Sequence, residues 1–334
     1  MKFLVIQTAF IGDVILATPV VEKLRRFYPG ATIDFLLRKG NEGLLTGHPQ
    51  LRKVWVWDKK KEKYSGLWKL TRQLRAERYD VIVNCQRFAA SGVLTALSGA
   101  AHTVGFRKNP FSWLFSKRVV HAFGTPQHPV HEVDRNLRLI EHLTDSSTEL
   151  PKLYPTRSDT DKIQSIIARR EPFVCIAPTS VWFTKQYPAH KWVELIRQIP
   201  AAYTIFLLGG PTDVQACNQI LESAGRAKMH NLAGQLRFLE SAALMQKASM
   251  NYVNDSAPMH IASAMNAPTA AIFCSTIPLF GFTPLSRERH IIESSRALPC
   301  RPCGLHGYRA CPQGHFDCAE TVSWVQFPLP VLKK

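Results

Sequence analysis

Asn254-Asp255-Ser256-Ala257-Pro258-Met259-His260 is the stretch of this chain whose residue types and spacing are best suited to chemistry. It reads as the polar end of a strand that opens a helix. Met250 to Val253 is apolar and strand-like, Asp255 or Ser256 can cap, Pro258 fits a first helical turn, and Ile261 to Met265 continues the helix. A helix start presents unpaired N–H groups and the positive end of its dipole, so it can hold a phosphate with backbone alone. An ordinary capped helix has the same appearance. The weight comes from similar turns elsewhere in the chain.

Ala177-Pro178-Thr179-Ser180 follows another apolar run and is succeeded by Lys185, Tyr187-Pro188 and Trp192. Two hydroxyls and an ammonium suit a diphosphate, although a solvated loop has the same composition. In Leu207-Leu208-Gly209-Gly210-Pro211-Thr212-Asp213 the glycines permit close approach, and Asp213 can accept from ribose hydroxyls or cap a Gly-Pro turn. Near the start, Gln7-Thr8-Ala9-Phe10-Ile11-Gly12-Asp13 places a flexible Gly12 and an acidic Asp13 where a helix begins. Asp13 is either a cap or a group facing a ligand. The turn lacks the G-x-G-x-x-G dinucleotide fingerprint.

These turns need parallel strands to align them, and the chain supplies the pattern. Strand-like runs at Phe3 to Ile6, Thr32 to Leu37, Val54 to Trp57, Val81 to Asn84 and Thr103 to Gly105 are interleaved with helical patterns at Val14 to Phe27, Leu67 to Glu77 and Glu132 to Leu143. Pro151 to Asp161 has the composition of a linker. The alternation then restarts, with strands at Phe173 to Ala177, Thr204 to Leu208, Asn251 to Val253 and Thr269 to Phe273, and helices near Lys191 to Gln198, Val214 to Ala224 and Leu239 to Lys247. Two α/β domains of similar size are the economical reading, and two such domains in series commonly bind ligand in the cleft beyond their strand ends.

With 42 Lys+Arg against 25 Asp+Glu, the net charge of +17 implies an acidic partner. The opening apolar stretch is interrupted by Gln7 and Asp13, which argues for a buried strand and helix rather than a signal peptide, and no apolar run approaches a membrane span. A cytoplasmic protein is expected. Of eight cysteines, Cys85, Cys175, Cys217 and Cys274 lie in apolar or helical segments and read as core. Cys300, Cys303, Cys311 and Cys318, with His306 and His315 between them, are compatible with free thiols, a zinc site or disulfides.

Taken together, the turns resemble glycosyltransferase family 9, the lipopolysaccharide heptosyltransferases, over nearly the whole chain. The residues that carry the resemblance are Gly12-Asp13 with Pro19, Ala177 to Ser180 with Lys185 and Tyr187-Pro188, Leu208-Gly209-Gly210 with Asp213, and Asn254 to His260. The tail, Cys300, Cys303, Cys311-Pro312, His315 and Cys318, looks most like the heptosyltransferase II branch. Where that branch commonly has Pro-Gly-Ala this chain has Pro178-Thr179-Ser180, and Ala257 stands where Gly is usual.

The resemblance implies a GT-B architecture: two Rossmann-like domains facing across a central cleft, residues 1–155 binding the acceptor and 156–334 the nucleotide sugar. It implies ADP-heptose as donor, an anionic lipopolysaccharide core as acceptor, and inversion at the anomeric carbon. Asp13 would be the general base. Thr179, Ser180, Lys185 and the backbone from Ser256 through Ala257 to Met259 would hold the diphosphate, Asp255 and His260 the sugar or phosphate, and Asp213 the ribose. No cofactor or divalent metal is implied, and Asp159-Thr160-Asp161, superficially a metal-binding D-x-D, reads as a helix cap. Two basic stretches with aromatic residues, one holding Lys59, Lys60, Lys61, Lys63, Trp68, Lys69 and Arg72, the other Arg107, Lys108, Trp113, Lys117 and Arg118, would meet the acceptor, alongside Gly12, or the inner-membrane face. A solvated basic face with Trp68 packed inward would have the same composition. A basic nucleic-acid-binding protein with a zinc module also explains charge and cysteines, but not the polar strand ends in register across two α/β domains.

Overall fold

The computed structural model describes residues 1–59, 65–167 and 171–331. The chain divides into two compact units, Met1–Tyr154 and Pro155–Lys334. Each is built on a six-stranded parallel sheet, in the orders β3-β2-β1-β4-β5-β6 and β12-β11-β10-β7-β8-β9. In both, the strand order reverses direction beside a central strand, and that switch point is where open α/β sheets bind ligands.

In the first unit, β1 (Lys2–Ile6), β2 (Thr32–Arg38), β3 (Lys53–Trp57), β4 (Val81–Asn84), β5 (His102–Phe106) and β6 (Lys117–Val119) alternate with α1 (Ile11–Phe27), α2 (Ser65–Ala76), α3 (Ala89–Ala96) and α4 (Glu132–Arg138). β1 pairs with β2 on one side and β4 on the other, so its end sits at the middle of the sheet. Both faces of β1 are covered, which is why Phe3, Leu4, Val5 and Ile6 form a continuous apolar run. Helix α1 begins three residues earlier than the pattern suggests and runs through Pro19. The proline cannot bond the Ile15 carbonyl, and the Thr18 hydroxyl donates to that oxygen at 2.8 Å instead.

In the second unit, β7 (Phe173–Ala177), β8 (Thr204–Leu207), β9 (Met229–Asn231), β10 (Asn251–Asn254), β11 (Thr269–Phe273) and β12 (Arg289–Glu293) alternate with α6 (Ala189–Gln198), α7 (Val214–Ala224), α8 (Phe238–Lys247) and α9 (Ala257–Ala264). The expected linker contains α5 (Arg157–Ile166). Asp159 sits at its third position, accepting from the Thr156 amide at 2.8 Å and pairing with Arg237 at 3.0 Å. A short α10 (Asp317–Glu320) lies in the Cys-rich tail, where Phe316, Cys318, Ala319, Val322 and Phe327 pack into the second core with Tyr187 and Trp192. The tail is part of the domain, not an appended module.

The short edge strands β6, β9 and β12 were not expected, because three to five mostly polar residues carry little periodic signal. Among the described residues no helix is long and apolar enough to cross a membrane.

Candidate active site

The adjacent central strands β7 and β10 bring two of the polar turns side by side. Asn254, fully buried at the end of β10, ties them together. Its side-chain amide donates to the Pro178 carbonyl at 2.9 Å, and its carbonyl oxygen accepts from the Tyr187 amide at 2.9 Å. One side chain thus positions the Thr179-Ser180 turn and the segment carrying Lys185. Thr179 and Ser180 are half-buried, and the Gln186 side chain closes the loop onto the Ser180 carbonyl at 2.8 Å.

Lys185 and Asp255 form an ion pair at 2.7 Å, with 14% and 6% of their side chains exposed. The Thr276 hydroxyl donates to the same Asp255 oxygen at 2.6 Å. A nearly buried carboxylate so paired fixes the ammonium in one place. The tail reinforces this arrangement from behind. The Tyr308 amide donates to the Thr184 hydroxyl at 2.7 Å, the Ser275 hydroxyl to the same oxygen at 3.0 Å, and Gly307 lies so close to Thr184 and Lys185 that a Cβ would meet them at 2.8 and 3.0 Å.

Ser256 is the N-cap of α9 in extended conformation. Of the backbone amides expected from Ser256 to Met259, Pro258 has none and Met259 bonds the Ser256 carbonyl at 3.1 Å. The Ala257 amide precedes every intrahelical acceptor, so of the expected amides it and that of Ser256 are the ones not engaged by the helix. His260 is buried beside Phe282, with ring centroids 6.4 Å apart. Asp213 accepts from the Gly210 amide at 2.7 Å, and a Cβ on Gly209 would meet Asp213 at 2.7 Å. One of its oxygens is therefore spent on closing the glycine turn.

In the first unit Asp13 is the third residue of α1, and its carboxylate accepts from the Phe10 amide at 3.1 Å. Burial, and next the negative charge of Glu132, push its pKa from 3.8 up to about 6, against the Phe10 amide and Arg87, which favour the ionised form. A carboxylate of that basicity, ionised at neutral pH, is suited to take a proton. Gly12 beside it is half-buried.

A family model described as Glycosyltransferase family 9 (heptosyltransferase) matches residues 67–308. The chain belongs to this family. Lipopolysaccharide heptosyltransferase 3 of Escherichia coli K12 is 29% identical over 288 residues, covering 80% of this chain and 81% of that protein. Lipopolysaccharide heptosyltransferase 2 of the same organism is 25% identical over 319 residues, covering 88% of each. The structure of E. coli ADP-heptose LPS heptosyltransferase II superposes with a TM-score of 0.75 at 24% identity, covering 96% of this chain and 98% of that one. The family 9 glycosyltransferase from Veillonella parvula reaches 0.78 at 21%, covering 87% and 85%. The two parallel-sheet halves are those of the GT-B fold of these enzymes.

At the ends of successive strands the glycosyltransferase carries cations, of which Arg38 and Arg87 were not singled out from sequence. Arg38 ends β2 and lies over the Phe10 ring, 4.7 Å from its centroid. Lys59 follows β3, donates to the Thr8 carbonyl at 2.9 Å and stacks on Trp57. Burial and the charge of Arg38 pull its pKa down to about 8. Arg87 follows β4, and the expected Arg107 and Lys108 follow β5, both exposed. The first charged residues after each parallel strand were the signal that could have found them. Lys60, Lys61 and Lys63 lie outside the described residues. Trp68 does not pack inward: it is 59% exposed.

All eight cysteines are free thiols. Cys300 Sγ is 3.9 Å from His315 Nε2, and among the described residues no three Cys, His, Asp or Glu side chains converge as metal ligands.

Proposed function

We propose that this glycosyltransferase moves a heptose from ADP-heptose to a hydroxyl of the lipopolysaccharide inner core, with inversion at the anomeric carbon. Asp13 takes the proton of the acceptor hydroxyl as that oxygen attacks. The new C–O bond forms while the bond to the diphosphate breaks, and ADP leaves with the electron pair. Lys185, the Thr179 and Ser180 hydroxyls and the amides at Ser256 and Ala257 offset the charge that develops on the leaving group. These donors supply what a divalent metal supplies in other transferases, so the reaction needs no metal or other cofactor. His260 and the free face of Asp213 complete the donor site.

The single observation that carries the reading is Asp13 itself, a carboxylate with pKa raised to about 6 at the switch point of a family 9 sheet. The named relatives are lipopolysaccharide heptosyltransferases, which supports the acceptor class. Arg38, Lys59, Arg87, Arg107 and Lys108 suit the phosphates and carboxylates of such an acceptor, and the exposed Trp68 and Trp113 suit peripheral contact with the inner-membrane face from the cytoplasm.

The test is calorimetric binding of ADP, UDP and GDP, followed by turnover of ADP-heptose on a heptose-deficient acceptor, with and without EDTA. ADP selectivity with EDTA-resistant transfer is expected. Selectivity for UDP or GDP would move the enzyme to another nucleotide sugar, and failure to bind any nucleotide would defeat the reading.

A further inference from the structure

A buried charged group beside Asp13 has no part in the reaction as written. Glu132, the first residue of α4, is 6% exposed and accepts from Arg135 Nε at 2.6 Å. Arg135 is fully buried, donates to the Val130 carbonyl at 3.1 Å and lies 5.0 Å from the centre of the Phe123 ring. His121 Nε2 is 3.4 Å from the same Glu132 oxygen, its ring edge-on to Phe106 and Phe123. Burying such a cluster is costly, and an apolar replacement commonly serves stability as well. Its position offers a reason for it.

Helices α1 and α4 pack together, and the Asn136 side chain donates to the Leu16 carbonyl at 3.1 Å. Lys23, further along α1, reaches Asp145 beyond α4, and Tyr28 bonds the Leu143 carbonyl, so the two helices run in the same direction. One turn back from Asn136 is Glu132, and about one turn back from Leu16 is Asp13, which places the first turns of the two helices together. The two carboxylates interact there. Arg135 and His121 hold the Glu132 carboxylate from behind, which keeps it ionised despite its burial. The charges that face Asp13 are then Glu132 from α4, Arg87 from the turn after β4 and Arg38 from the end of β2. Those that face Glu132 are Asp13, Arg135, His121 and the Cys85 thiol at the end of β4.

We infer that Glu132 is a positioning residue of the transfer reaction, a fixed negative charge held by Arg135 and His121 against the first turn of α1 so that Asp13 is a stronger proton acceptor. The inference rests on Asp13 being the base. A like charge nearby disfavours ionisation, and the proton that the acceptor gives up is held more firmly in the transition state. Arg87 limits the effect, so that Asp13 is still ionised at neutral pH.

The experiment follows the Asp13 carboxyl by carbon-13 NMR in the whole protein, its signal identified by loss in Asp13→Asn, and in parallel the pH profile of kcat/KM. In Glu132→Gln the midpoint of Asp13 and the acidic limb of the profile should both fall by about one pH unit. Glu132→Asp should restore most of the shift. Because Glu132→Gln leaves Arg135 without its partner and can misfold, Glu132→Gln/Arg135→Met is tested beside it, and the same fall is expected. A folded variant of either kind with an unmoved Asp13 midpoint overturns the inference. Failure of the underlying reading looks different: Asp13→Asn would keep its activity whatever the Glu132 variants do to the carboxyl.

Discussion

Each unit places an aspartate beyond one of the two strands that flank its switch point, β1 in the first and β10 in the second, near where a helix begins, and gives it opposite surroundings. Asp255 is matched by the Lys185 ammonium at 2.7 Å and the Thr276 hydroxyl at 2.6 Å. Asp13 accepts from the Phe10 amide, has no ion pair of that kind among the described residues, and faces another carboxylate, Glu132. Satisfying a charge makes a rigid binding fixture. Leaving a charge partly unsatisfied makes a base, at a cost in stability. In the proposed mechanism that difference separates the half that holds the donor from the half that takes the proton.

The sharpest way to break this contrast is to neutralise the base. Asp13→Asn should lower transfer by about 10²- to 10⁴-fold, with ADP affinity unchanged by calorimetry. Turnover within about tenfold of the parent would remove Asp13 from the chemistry. The opposite pattern is expected for Lys185→Ala, which should weaken ADP binding by about 2–3 kcal/mol and lower the Tm, because Asp255 is left buried without its cation.

The stability of Asp13→Asn should run the other way. The folded-state pKa of Asp13 lies above its ordinary value, so the fold binds the proton more tightly than the unfolded chain and loses stability as pH rises from about 4 to about 6. Removing the charge should therefore raise stability at pH 7 to 8 by ~1–2 kcal/mol, allowing for partial solvation, with no gain at pH 4. Thermal melts of both proteins at the two pH values decide this. The smallest effect is expected at Asp213. Asp213→Ala should cost about 1 kcal/mol through loss of the bond to Gly210, seen in a denaturant melt. A loss of ADP affinity much larger than that would favour the ribose contact.

Much of the frame was legible because a parallel strand covered on both faces must be apolar throughout, and a turn that opens a helix must be polar. Those two demands leave Phe3 to Ile6 next to Gly12-Asp13, and Met250 to Val253 next to Asn254-Asp255, in plain sight. The edge strands were not legible, since a strand such as Lys117–Val119 is half solvated and lacks pattern. Asp13, Lys185 and Asp255 were visible as candidates, but their partnerships were not. Lys185 and Asp255 are separated by 70 positions in the chain, and nothing local indicates that they form a pair. Asp213 offered two local readings, a cap and a ribose ligand, and the Gly210 bond shows that the cap is made.

Composition, periodicity and turn chemistry thus determined the fold class, the two units and the strand ends where function resides, because each depends on residues within one turn or one strand of each other. The tertiary structure decided which of two similar aspartates is paired and which stands against a like charge. That depends on Coulomb interactions between side chains far apart in sequence, screened or exposed according to how helices α1 and α4, or strands β7 and β10, pack. Asn254 shows the same division: its place in the motif was evident from sequence, whereas its task of tying two strand ends together exists only once β7 and β10 lie side by side.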